Sequence, residues 1–92
     1  MAISRADRRR EREQRVVRLF GVAQAPCVLD LLELLELAWH DCYGEITPSD
    51  VVIEDVFAVS EGTLSGMVQA CHLAVTDWRD LRMAADHVRG RR

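Results

Sequence analysis

VLDLLELLELAWHD, residues 28–41, sets acidic side chains at positions 30, 33 and 36 among six leucines. Charges recurring every three residues fit a helix and not the strict alternation of a half-buried strand. Pro26 suits a first helical turn and Gly44 a C-terminal cap, so the spacing predicts a helix over about 26–43. At roughly 100° per residue, Val28, Leu31, Leu32, Leu35, Ala38, Trp39, Cys42 and Tyr43 share one broad arc, with Asp30, Glu33, Glu36, His40 and Asp41 opposite. Leu29, Leu34 and Leu37 are left on the acidic side. Leu34 and Leu37, flanked by Asp30 and Asp41, form a second small apolar facet, which either the preceding helix covers with Val16, Leu19 and Phe20 or another subunit does.

The rest of the chain supports a helical reading. Ninety-two residues, 49% of them hydrophobic but only 5% aromatic, with five glycines and two prolines, suit a single all-α domain over 1–92 more than a many-stranded sheet. Residues 7–20 contain good helix formers and the pair Glu11/Arg15 at the favourable spacing. Their first half is polar all round, so 1–15 is expected to be a frayed basic helix anchored only by Val16, Val17, Leu19 and Phe20, with Gly21 as a stop. Thr47-Pro48-Ser49-Asp50 reads as a helix start with Thr47 as the N-cap. The following VVIEDVFAV has the β-branched composition of a strand, yet Val52, Ile53, Val56 and Phe57 fit one helical face, and a helix to about Val59 is preferred. After Thr63 as cap, Leu64, Met67, Cys71, Ala74, Trp78, Leu81, Ala85 and Val88 are spaced alternately three and four apart. That seam predicts one long C-terminal helix, serving either an antiparallel four-helix bundle or a dimer.

Charge is sorted along the chain. Residues 1–22 hold seven arginines against three acids, 23–78 hold ten acids and no arginine, and 79–92 hold five arginines against two acids. The basic arms, including Arg8, Arg9, Arg10 and Arg12 and the tail 90–92, can serve nucleic acid or an acidic partner. The preferred reading is that they lie on the acidic middle of their own chain or of a symmetry mate, which places carboxylates within a Debye length of ~8 to 10 Å. All twelve basic residues are arginine, the usage of a GC-rich, bacterial genome.

Three cysteines, Cys27, Cys42 and Cys71, form no disulfide framework and fit a reducing cytoplasm. VVRLFGVAQAPC suggests a signal peptide or a lipid-modified Cys27, but its apolar run is short, Arg18 breaks it, and Pro26 adjoins either cleavage point. No segment approaches the ~18 apolar residues of a membrane span. His40-Asp41-Cys42 and Cys71-His72 carry metal-ligating and nucleophilic groups, but helical neighbours diverge by ~100°, and no CxxC or His-x-x-x-His is present. Cys42, Cys71, Trp39 and Trp78 fall on apolar stripes, where packing is the ordinary role. Neither catalysis nor a cofactor is expected.

One stretch resembles a known family. AVSEGTLSGMV, residues 58–68, is similar to the turn and second-helix start of helix-turn-helix regulators, including the last DNA-binding region of sigma-type factors. The resemblance implies that Phe57, Val59, Leu64 and Met67 pack, Ser60-Glu61-Gly62-Thr63 turn, and a recognition helix begins at Leu64. Thr63, Ser65, Gly66, Gln69 and His72 would then face DNA. The sequence departs from that pattern where Glu54 replaces a small residue and Ala58 a glycine, and where the reading surface lacks Arg. The expectation is therefore a non-catalytic helical interaction or accessory module, homodimeric or bound to another protein through Leu34, Leu37, Asp30 and Asp41. A small DNA-binding regulator is the alternative.

Overall fold

The computed structural model describes residues 3–91, which contain five helices and no strand. They are α1 (Arg5–Phe20), α2 (Ala25–Tyr43), α3 (Asp50–Ser60), α4 (Leu64–Thr76) and α5 (Trp78–Gly90). The all-α expectation holds, but the single long C-terminal helix is two helices of 13 residues each. Asp77 breaks it with φ −160° and ψ 97°, and its carboxylate accepts from the backbone N–H of Arg79 and Asp80 at 3.0 and 3.4 Å. A side chain able to satisfy two free donors favours a new helix start over continuation. The seam keeps Met67, Ala74, Leu81 and Ala85 fully buried across the break, with Ala70 in place of Cys71, but turns Trp78 out to 43% exposure.

Packing runs from α1 to α2, from α2 to α4, and from α4 to α3 and α5, which also pack on each other. Val16, Phe20, Val28, Leu32, Leu35, Trp39, Val56, Phe57, Met67 and Leu81 belong to one core cluster. The α2 arc is rotated from its sequence-based position. Leu29 and Glu36 lie inside it, whereas Leu31 and Ala38 are half-buried and Cys42 and Tyr43 exposed. Gly44 closes α2 in the left-handed region at φ 75°, its N–H on the His40 carbonyl.

Two starts differ from expectation. α1 begins at a Ser4–Asp7 capping box, and its polar half is paired to α2 through arginine side chains. α3 is capped by Ser49, whose hydroxyl accepts from the Val52 N–H, while the Thr47 hydroxyl instead donates to Glu36 at 2.8 Å. Of the basic tail 90–92, Gly90 ends α5, Arg91 reaches Glu61 at 3.2 Å, and Arg92 lies outside the described residues. At the α3–α4 turn, the Thr63 hydroxyl accepts from the Gly66 N–H and donates to the Ser60 carbonyl. A Cβ at Gly66 would collide with that carbonyl oxygen, so the close approach requires glycine.

Candidate functional site

The two long faces of α2 have opposite fates. On one, α1 lies along the acidic residues. Glu36, 1% exposed, takes the Arg8 guanidinium on both carboxylate oxygens, Arg12 at 3.3 Å and the Thr47 hydroxyl. Arg5 stands 3.8 Å away. Burial alone would raise the Glu36 carboxyl, but the hydrogen bonds from Arg8 and Thr47 and the charges of Arg12 and Arg8 outweigh it and hold the group below its ordinary value. Arg9 reaches Asp30 at 2.8 Å and Glu33 at 3.3 Å, and Arg15 bridges α1 to Glu54 of α3. The hydrogen bond from Arg15 likewise lowers the Glu54 carboxyl.

The second arm follows the same rule. Asp55, inside the α3–α5 contact, accepts from Arg89 at 2.8 Å and has Arg82 at 3.8 Å. Of the four arginines singled out as partner contacts, Arg8, Arg9 and Arg12 are turned onto α2, while Arg10 pairs with Asp7 and remains exposed. The charge sorting of the sequence is thus used for internal pairing.

On the other side of α2, Leu34 is 60% and Leu37 46% exposed, and α1 covers neither. Among the described residues Asp41 has no arginine partner and only His40 at 4.0 Å, while Asp30 is shared with Arg9. Leu34 continues into a shallow groove of about 160 Å³ between α2 and α4, lined by Leu31, Leu35, Ala38, Cys71, His72 and Val75. Val68, on the α4 stripe with Cys71 and Val75, is 48% exposed. The segment 62–76, which includes all of α4, contains no Asp, Glu or Arg. A surface helix ordinarily carries charge on its solvent side, so this α2–α4 face is the unusual surface of the molecule. Sequence reasoning found Leu34 and Leu37 but missed the α4 half. Its signal was the uncharged run, hidden beneath the assumed long heptad helix.

Helix-turn-helix-like residues fall into two groups. Phe57 and Met67 are buried and Val59 and Leu64 partly so, as the resemblance implies. Thr63 is committed to capping, Ser65, Gln69 and His72 face solvent without a cation among them, and Asp55 is turned inward onto Arg89. The thiols are unpaired, with Cys27 and Cys42 exposed; Cys42 does not behave as the core hydrophobe its stripe suggested. Burial pushes the Cys71 thiol up to about 12, leaving it protonated at neutral pH. Trp39 is buried and donates from Nε1 to Glu45 at 3.0 Å, whereas Trp78 is 43% exposed with the Arg79 guanidinium 5.5 Å from its ring.

Among the described residues, no three His, Cys, Asp or Glu side chains converge to hold a metal ion, and no helix is long and apolar enough to cross a membrane. No family model matches the chain, and no curated protein or solved structure shows significant similarity to it.

Proposed function

We propose that the chain is a non-catalytic helical interaction module whose partner is a second copy of itself, docked through the α2–α4 apolar face. The observation that carries this reading is the continuity of exposed Leu34 with an uncharged α4, with exposed Leu37 nearby on the same helix. Interface centres are depleted of charge relative to the remaining surface. Contiguous exposed apolar surface on a monomer often marks a functional surface. Three unpaired thiols suit a reducing cytoplasm, the compartment assigned by this reading.

Leu34→Glu with Leu37→Glu tests the proposal, because both side chains lie outside the core. Light scattering should report twice the chain mass for the parent and one chain mass for the double variant, with helix content by circular dichroism unchanged. A parent that is monomeric at high protein concentration would overturn it. The DNA-binding alternative draws on the packed α3–α4 turn, but arginines on which it depends are engaged by Glu36, Asp30, Glu33 and Glu54. Duplex binding that persists at ~150 mM salt and is lost on changing Thr63, Ser65 or Gln69 would favour that alternative instead.

A further inference from the structure

Between α1 and α3 lies a cleft of about 760 Å³, within the roughly 300 to 1,000 Å³ range of small-molecule sites. It exists because α1 packs along α2 and stands off from α3, to which the Arg15–Glu54 pair ties it. Its apolar lining is Ile53 and Phe57, both buried, with Ile3 and Ile46 at 53% and 71% exposure. Neither exposed isoleucine belongs to the core cluster.

Three arginines share the lining, and their hydrogen bonds distinguish them. Arg8 gives Nε and Nη2 to Glu36 and Nη1 to the Ile3 carbonyl, so each of its nitrogens is bonded. Arg15 gives both terminal nitrogens to Glu54 and lies over the Phe57 ring, 4.2 Å from its centroid. Arg12, its side chain only 16% exposed, makes a single side-chain bond among the described residues, 3.3 Å to Glu36 Oε2. That oxygen already accepts from Arg8 and from Thr47, and a carboxylate oxygen has two lone pairs, so the third donor is poorly served. Arg5, Arg8 and Arg12 also outnumber the one buried carboxylate.

We infer that this cleft binds a small monocarboxylate with an aliphatic tail, its headgroup on the spare donors of Arg12 and its tail on Ile3, Ile46, Ile53 and Phe57. A guanidinium presents paired N–H groups that match a carboxylate, and one mostly shielded from water attracts it more strongly. The remaining carboxylates of the lining, Glu11 and Asp50, are exposed. They repel a multiply charged ligand most, which favours a single negative charge over a phosphate dianion. The cleft has no lining residue in common with the α2–α4 groove, so it is independent of self-association.

Octanoate is the probe, titrated calorimetrically into the full chain at neutral pH, with octanol as the uncharged control and acetate as the tailless one. Saturable octanoate binding is expected, with none for acetate and with octanol about tenfold weaker, the worth of a hydrogen bond to a charged group. Arg12→Gln should weaken octanoate about tenfold and leave octanol unchanged. Ile46→Asn, at an exposed position outside the ion cluster, should weaken both by about tenfold through lost apolar burial. Should Arg12→Gln fail to fold by circular dichroism, Ile46→Asn and the octanol control decide. Absence of saturable octanoate binding by the parent overturns the site. Equal affinity for octanoate and octanol, or unchanged octanoate affinity in a folded Arg12→Gln, overturns Arg12 as the headgroup contact; octanoate affinity unchanged in Ile46→Asn overturns the cleft as the place of binding.

Discussion

Glu36 and Leu34 stand two residues apart on α2 and have exchanged the places their side chains suggest. The carboxylate is buried at 1% exposure, while the leucine keeps 60% of its surface in solvent. The difference lies in what each face meets. α1 brings Arg8 and Arg12 to the acidic face, and a buried charge is tolerated when its partners are at hydrogen-bond distance and its remaining lone pairs are filled. Nothing among the described residues covers the leucine face, and α4 beside it offers no charge. Polarity alone therefore does not decide burial on this helix; the neighbouring element does.

Breaking the buried side should have the largest effect. Glu36→Ala leaves Arg8 and Arg12, both mostly buried, without their counter-charge and should destabilise the fold by about 3 to 5 kcal/mol, measured by urea unfolding. A loss below about 1 kcal/mol would show that α1 is held by Val16 and Phe20 and not by the ion cluster. A smaller and graded effect should follow from acid. The Glu36 and Glu54 carboxyls are held below their ordinary 4.5, so in the unfolded chain they take up protons at higher pH than in the folded one. The stability they contribute is complete above about pH 4.5 and is lost as pH falls through the folded values. Glu54 contributes less because its pair with Arg15 is solvent-screened. Thermal unfolding between pH 6 and 3 should show this decline, flattened in Glu36→Gln; an unchanged slope in that variant would remove Glu36 as its source.

The smallest effect is expected at the α4–α5 corner. Trp78→Ala should cost less than about 1 kcal/mol, because the indole is 43% exposed and lies outside the core cluster. A cost of 3 to 5 kcal/mol, the range for a buried tryptophan, would mean that another surface covers Trp78 in solution.

The seam shows why part of the structure escaped the sequence. Its three-and-four spacing describes one apolar stripe whether or not the helix is continuous, because Leu81 returns to the same core after the corner at Asp77 and Ala85 and Val88 are buried beyond it. Thr76-Asp77 was the available signal, an N-cap residue placed inside a helical pattern. In the candidate interface, the angular offset of Leu34 and Leu37 from the main stripe was readable, but their exposure was not, since α1 could have covered them.

Local chemistry determined what the sequence settled by itself: helical class, the capping of α4 by Thr63, the ends of α1 and α2 at Gly21 and Gly44, and the preference of 51–59 for helix over strand. These depend on backbone donors, acceptors and periodicity within a few residues, which any reader of the chain can count. Only the tertiary structure decided that Thr47 serves Glu36 instead of capping α3, that the first arginines turn inward onto α2, and that Leu34 stays outside. Each of those outcomes depends on partners ten or more residues away, and the free energy of burying a charge or a leucine is set by the surface that arrives to meet it.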